Sequence, residues 1–266
     1  MLVSKLPPNL ASILDGYDCN INTVGKSTAK VYRYHKKNGN ALYLKISHAN
    51  MDFKHEHEKL LWLDGRLPVP TIKLWHIQDG LAYLLMTQAP GQVLFDCLKY
   101  ELPKPYEDTV KLLADALLML QAVDTTGCPF DNTLNIKLAR ALSYIEAGQV
   151  DINDWDGDTY FETPMDLHRW LISNKPKEEI CFTHGDYDPR NIFSNGIKPT
   201  CFIDVGECGL ADKWQDIALC VRTIKTKTKG ISDAEKDGYV DLLFSYLGIE
   251  PDWAKVKYYN LLCELF

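Results

Sequence analysis

The stretch 181-CFTHGDYDPRNIF-193 decides how this chain is read. A short apolar strand delivers His184-Gly185-Asp186, four residues follow, and Asn191 completes the set. Eighteen residues past Asp186, a second apolar run ends at Ile203-Asp204 within 201-CFIDVGE-207. A carboxylate, an amide and a second carboxylate in this order suit phosphoryl transfer. That reaction needs a group to orient or deprotonate the attacking hydroxyl, and oxygen ligands to hold Mg²⁺ on the nucleotide phosphates.

Protein kinases use H-R-D-x-x-x-x-N and D-F-G for these tasks. Here the text is H-G-D-x-x-x-x-N and I-D-V-G. A lone His-Gly-Asp is a weak signal, because a turn can carry those residues for structural reasons alone. The order of the remaining parts makes it specific. Lys45 ends the apolar run of 42-LYLKIS-47, where a plain structural reading expects an apolar or neutral side chain, and an edge-strand lysine snorkelling to water is the alternative. An acidic residue on the following helix, Glu56 or Glu58, can hold that lysine against the α- and β-phosphates.

Working outward, the first third reads as strands. Ala29–Tyr34 and Ala41–Ile46 flank Asn38-Gly39, a hairpin-turn signal. A helix follows, opening with Asp52 as its N-cap and stopping before Pro68 and Pro70. Then 72-IKLWHIQDGLAYLLMTQ-88 is a strand pair around Asp79-Gly80. From Pro90 onward helices dominate, over 106–123, 133–148, 163–174, 212–225, 233–248 and 252–266. Short strands are expected at Ile180–Thr183, Asn191–Ser194 and Thr200–Asp204. The fold class is α+β: a small antiparallel β-sheet N-lobe with one main helix (1–88, nucleotide-binding) and a larger, mostly helical C-lobe (89–266). The joint falls near Thr87–Gly91.

Composition sets the outer limits. The 266 residues carry a formal net charge of −7, with 46% hydrophobic residues. An acidic chain is a poor candidate for nucleic-acid binding, and it suits a cationic small molecule if the acid is gathered in one cleft. No apolar run is long enough to span a bilayer, and 1-MLVSKLPPNL-10 has no signal-peptide core, so a cytoplasmic location is expected. None of the eight cysteines forms a C-x-x-C pair, which favours buried thiols over disulfides or zinc. His55 and His57 flank Glu56 in HEHE, but positions i and i+2 of a helix do not share a face, so this is not read as a metal site.

The letters GKS at 25–27 imitate a P-loop. A Walker A loop needs glycine at position 20, which is Asn20, and a helix after the loop, where 29-AKVYRY-34 is a strand. The stretch is read instead as a flap between two strands.

The chain resembles the aminoglycoside phosphotransferases, most closely the 3′-phosphotransferase group. The resemblance rests on AKVYR, LYLKI, LWLDGRLPVP, HGD with NIF, FIDVG, ADKW with DIA and CVR, and the terminal run from DW through KYY and LL to ELF. It implies a protein-kinase-like bilobal fold and the use of ATP or GTP with Mg²⁺ to phosphorylate an antibiotic hydroxyl. By the same resemblance Asp186 orients or deprotonates the hydroxyl, Asn191 and Asp204 bind Mg²⁺, and Lys45 contacts the phosphates with Glu56, not Glu58, as its partner. Tyr43 stacks on the purine, Thr87 and Ala89 offer backbone hydrogen bonds to the base, and Phe193 and Ile203 wall the pocket. Ser27 lies in the flap over the phosphates. The cationic substrate is met by Asp154 and Asp156 of the loop 151-DINDWDGD-158, by Arg222, by Glu264 and by the terminal carboxylate of Phe266.

Four departures touch the substrate side. Glu207 stands where the group has arginine, Thr226 and Lys227 where it has acids, and Cys263 where it has aspartate, while Asp188 and Arg190 are unexpected within the catalytic loop. The phosphate, base and metal positions are all kept. The alternative acceptors are other small hydroxyl-bearing amines or antibiotics, because choline, homoserine, macrolide and related kinases share H-G-D-x-x-x-x-N. A kinase-like binding module without activity is a third reading, against which Lys45, Asp186, Asn191 and Asp204 all stand. The expected state is a monomer or weak dimer.

Overall fold

A computed structural model describes residues 6–22, 29–37, 39, 41–99, 106–156, 159–228 and 230–266. The proposed flap residues Lys26 and Ser27, Asn38 of the expected turn, and Asp158 lie outside the described residues. The chain divides into two compact units. One comprises residues 1–90 with 201–206, the other 91–200 with 207–266.

In the first unit, α1 (Pro8–Ile13) precedes β1 (Asp18–Asn22), β2 (Lys30–His35) and β3 (Leu42–His48). Then come α2 (Met51–Leu63), β4 (Ile72–Gln78) and β5 (Leu81–Thr87). The five strands form an antiparallel sheet in the order β1-β2-β3-β5-β4. The alternation of side chains along a strand explains its two faces. Tyr32 lies opposite Leu44 and Tyr34 opposite Leu42, and these four pack with Leu10 of α1 and Leu14 at its C-cap. The opposite phase of β3 carries Tyr43 and Lys45, beside Met86 and Leu84 of β5. The β4–β5 turn places both Asp79 (φ 51°) and Gly80 (φ 75°) in the left-handed region, as a two-residue type I′ hairpin requires.

Two expected boundaries shift. Lys45 lies mid-strand, because β3 runs on to His48 beside Leu81. The N-cap of α2 is Asn50, whose side chain accepts the Phe53 N–H, so Asp52 lies inside the helix.

The second unit opens with β6 (Gln92–Val93), α3 (Leu94–Lys99), α4 (Tyr106–Gln121), α5 (Leu134–Glu146) and α6 (Pro164–Ser173). There follow β7 (Ile180–Thr183), β8 (Ile192–Ser194), β9 (Pro199–Phe202), which runs on into the first unit, and β10 (Gly209–Asp212). Three helices close the chain: α7 (Trp214–Lys227), α8 (Asp233–Leu247) and α9 (Trp253–Cys263). Helix α7 is buried over most of its length and packs against α9, α8 and α4. Helix α8 has a capping box from Ser232 and Glu235 and ends at Gly248 in the left-handed conformation, which glycine adopts without a Cβ penalty. Two strand ends are shorter than the apolar pattern suggests. Pro189 starts a 3₁₀ turn that includes Asn191, and the left-handed backbone of Asp204 (φ 59°) lies beyond the end of β9.

Among the described residues no helix is long and apolar enough to cross a membrane. The seven cysteines whose side chains are described are free thiols. Cys201, Cys208 and Cys220 are buried, whereas Cys19 is exposed on the edge strand.

Candidate active site

The first unit gathers one charged group. Lys45 Nζ lies 2.5 Å from Glu56 Oε1 and 2.9 Å from Asp204 Oδ1. Burial opposes the charge on Lys45, but the two carboxylates outweigh it and hold the ammonium above the ordinary lysine range. Burial pushes the Glu56 carboxyl up, against the pull of Lys45, and the like charge of Asp204 adds to the rise. Glu58 pairs instead with Lys54, one turn earlier on α2. Lys59, one turn after Glu56, donates to the Gly206 carbonyl. Thus one face of α2 holds both the lysine and the segment that carries Asp204. Asp204 keeps a half-exposed carboxylate on a strained, left-handed backbone.

Tyr43 is half-buried on the face of β3 that carries Lys45. The Thr87 N–H donates to the Thr71 carbonyl and the Thr87 hydroxyl accepts from the Thr71 N–H, so the Thr87 backbone N–H is already engaged. Ala89 is buried and Ile203 half-buried.

The second unit presents the His184-Gly185-Asp186 loop. Strand β7 pairs with β10, with Thr183 opposite Gly209, and releases the chain at His184. Asp216, in the first turn of α7, accepts the His184 N–H at 2.6 Å and the Gly185 N–H at 2.9 Å. Its carboxyl is pushed up by burial, while His184 and these two N–H groups pull the other way. Gly185 has φ +80°, and a Cβ there would run into the Glu207 carbonyl; only glycine fits. Beyond it the buried Tyr187 hydroxyl donates to the Leu113 carbonyl at 2.6 Å, pinning the loop to α4. Asp186 is exposed between these anchors. Its carboxylate accepts from Asn191 Nδ2 at 3.1 Å, as does its own backbone carbonyl.

Asp188 caps the 3₁₀ turn that contains Asn191, and its carboxylate grips Arg190 through Nε (2.8 Å) and NH2 (2.6 Å). Phe193, on β8 opposite Val93, is half-buried.

The C-terminus forms a second acidic group in this unit. The Glu264 carboxylate accepts from the Asp156 N–H at 3.2 Å and lies 3.8 Å from Arg222 NH1. The Glu264 carbonyl accepts from Trp155 Nε1 at 2.8 Å. Arg222 also approaches Asp156, at 3.9 Å. The Phe266 ring lies under Arg140 (4.9 Å), near Lys137 (5.7 Å) and edge-on to Tyr144 (5.5 Å). Burial raises the Cys263 thiol, which also feels Arg222, Lys137, Glu264 and Asp186. Asp154 sits in the exposed turn before Trp155, apart from the contacts that join Asp156 to Glu264.

Sequence reasoning missed Asp216, Lys59 and the partner of Glu207. The first left a trace, since Asp216 interrupts the apolar turn Trp214–Ala218. The last did not: Arg140 holds Glu207 in a two-point fork at 2.5 and 3.2 Å, from a helix 67 positions earlier in the chain. In HEHE, His57 stacks on Trp75 at 4.4 Å. Among the described residues no three His, Cys, Asp or Glu are grouped to hold a metal ion.

A sheet lysine held by a helical glutamate, with a His-Gly-Asp loop hung from a buried aspartate, marks the protein-kinase-like class. Solved structures agree. An aminoglycoside-3′-phosphotransferase of type VIII superposes with TM-score 0.80 at 25% identity over 97% of each chain. APH(3″)-Id of Streptomyces rimosus, solved with ADP and streptomycin, superposes with TM-score 0.79 over 100% of this chain and 98% of that one. At 20% identity the latter likeness concerns the fold alone.

Residues 21–259 match the phosphotransferase enzyme family, and the chain belongs to it. It is 39% identical to an aminoglycoside 3′-phosphotransferase of Enterococcus faecalis and 37% identical to one of Staphylococcus aureus, in each case over the full length of both chains.

Proposed function

We propose that this enzyme transfers the γ-phosphoryl group of ATP or GTP to an aminoglycoside hydroxyl, at the 3′ position, and thereby confers antibiotic resistance. The observation that carries the reading is the seat of Asp186. An exposed carboxylate, oriented by Asn191 at 3.1 Å, projects from a loop whose backbone is tied to Asp216. Such a group can accept the hydroxyl proton as the oxygen attacks phosphorus. The bond to the bridging oxygen breaks, its electron pair leaves with the nucleoside diphosphate, and no covalent enzyme intermediate is needed.

Lys45, held by Glu56, would meet the α- and β-phosphates. Tyr43 would stack on the purine, and the Thr87 carbonyl and Ala89 N–H would meet its edge. Phe193 and Ile203 would line the nucleotide pocket, and the backbone around Ser27 would cover the phosphates. The donor set fits Mg²⁺. Asn191 uses its amide nitrogen on Asp186, so a carbonyl oxygen is its remaining ligand atom, and Asp204 has a half-exposed carboxylate. Such hard oxygen donors suit Mg²⁺, which when bound would neutralise charge on the β- and γ-phosphates.

On the acceptor side, Asp154, Asp156, Glu264 and the Phe266 carboxylate would receive the ammonium groups of a polycation, with Arg222 holding the acidic residues in place. The names of the full-length relatives support this substrate class. The enzyme would act in the cytoplasm, as a monomer or weak dimer.

The test is a coupled nucleotide-turnover screen with ATP and GTP against kanamycin, neomycin and non-antibiotic amino alcohols such as choline and homoserine. Kanamycin and neomycin should drive turnover, and Asp186→Asn should lower kcat by about 10²–10⁴-fold with nucleotide affinity near wild type. Turnover with an amino alcohol alone would reassign the acceptor.

A further inference from the structure

The Asp188–Arg190 pair is not accounted for by the roles above. Within a loop expected to meet a polycation, Arg190 is an exposed cation one residue before Asn191, which grips the Asp186 carboxylate. A surface ion pair contributes little and leaves both groups in water. This pair is different. The Asp188 side chain is only 16% exposed and accepts from both the Arg190 backbone N–H and two guanidinium nitrogens, whereas the Arg190 side chain remains 61% exposed. Asp188 therefore acts as an orienting clamp. The fork occupies Nε and NH2 and leaves the two N–H groups of NH1 for another partner. The ring of Phe95 lies 5.9 Å from the guanidinium carbon and limits its movement on that side. The Arg190 charge acts on that of Asp186, and Lys227 adds a further positive charge near Asp188.

A fixed guanidinium in the same loop as the proposed base, one residue before the Asn191 that holds the Asp186 carboxylate, would repel the ammonium groups of the acceptor. It becomes favourable only if an anion arrives at the same place. The reaction brings one, the phosphoryl group moving toward the hydroxyl held at Asp186.

We propose that Arg190 is a catalytic residue that donates through NH1 to the transferring phosphoryl group, as an arginine acting within its own chain, with Asp188 as its positioning residue. The inference rests on the phosphotransferase reading. Arg190 takes no part in bond making. It stabilises charge on the equatorial oxygens while the P–O bond to the nucleoside diphosphate breaks and the new bond forms, and the hydroxyl proton passes to Asp186. A planar, bidentate group suits this task better than a lysine point charge.

The experiment compares wild type, Arg190→Gln, Arg190→Lys and Asp188→Asn in steady-state kinetics with kanamycin, together with binding of ADP and of ADP–aluminium fluoride in the presence of Mg²⁺ and kanamycin. Arg190→Gln should lower kcat by roughly 10²–10³-fold, the scale of losing one preorganised donor to a developing anion, with both KM values within about threefold of wild type. Its affinity for the aluminium fluoride complex should fall by a similar factor while ADP affinity is kept, which also verifies that the variant is folded. Arg190→Lys should recover part of the loss, and Asp188→Asn should give a smaller fall in kcat. The proposal is overturned if Arg190→Gln keeps kcat within threefold, or if its loss lies wholly in kanamycin KM. Absence of aminoglycoside turnover in the wild type would instead remove the underlying functional reading.

Discussion

Lys45 and Asp204 stand 159 positions apart in the chain, yet the lysine ammonium donates to the Asp204 carboxylate across 2.9 Å. With Glu56 on its other side at 2.5 Å, Lys45 is held between two acids on the face of the sheet that also carries Tyr43. Lys45→Met should lower kcat/KM by at least about 100-fold, the scale of losing one preorganised charge at a developing anion. Lys26→Ala, in the stretch proposed from sequence as a flap, should change nucleotide KM by no more than about threefold, because such flaps work through backbone N–H groups. Steady-state kinetics with varied ATP check both, and the reverse order would overturn the assignment of the phosphate lysine.

The chain end should control the acceptor and spare the nucleotide. Deleting Glu264–Phe266 removes the carboxylate that receives the Asp156 N–H and faces Arg222, together with the terminal carboxylate. Kanamycin KM should rise at least about tenfold, the equivalent of roughly 1.4 kcal/mol, while ATP affinity measured by calorimetry stays within about twofold. Unchanged kanamycin kinetics would place the acceptor elsewhere.

Helix α9, which leads to Glu264, is moored by a buried ionic group. Lys255 Nζ lies 3.1 Å from Asp212 Oδ2 and 3.0 Å from Glu179 Oε1, and the Tyr259 hydroxyl donates to Asp212 at 2.9 Å. Lys255→Met leaves Asp212, fully buried, without its cation. The expected loss is roughly 3 kcal/mol, seen in a thermal melt as a fall in Tm of roughly 6–10 °C. Lys255→Met combined with Asp212→Leu should recover much of it, since replacing both partners leaves no unpaired buried charge.

Acid should weaken the same region through Glu179. Hydrogen bonds from Lys213 and Lys255 lead in lowering its carboxyl from 4.5 to about 2. In that window the unfolded chain binds more protons than the folded one, so the stabilisation is present above pH 4.5 and is lost as pH falls toward 2. Denaturant melts between pH 6 and pH 3 should show this decline, and Glu179→Gln should flatten it. An equal slope in the variant would assign acid sensitivity to other carboxylates.

Much of the architecture is legible in local patterns because its causes are local. Period-two alternation marks β2 and β3, Asp79-Gly80 marks the hairpin, and apolar spacing marks the six long C-terminal helices. The short elements α1, β1 and α3 carry too few periods to register. Asn50 displaced Asp52 as N-cap because several capping residues stand together there and only backbone geometry selects among them.

The kinase-like order of parts is written in the chain's own letters: strand lysine, helical acid, H-G-D-x-x-x-x-N loop, then a second aspartate. Those are residue types at fixed spacings, and spacing survives in one dimension. The folded chain alone reveals that Asp216 suspends the loop backbone, that Arg140 neutralises Glu207, and that Asp188 orients Arg190. Whether two charges meet depends on the phase of a helix against its sheet or on the rotamer of a single side chain. At 2.5–3 Å an ion pair depends on displacements of an ångström, and periodicity along the chain does not encode distance at that scale.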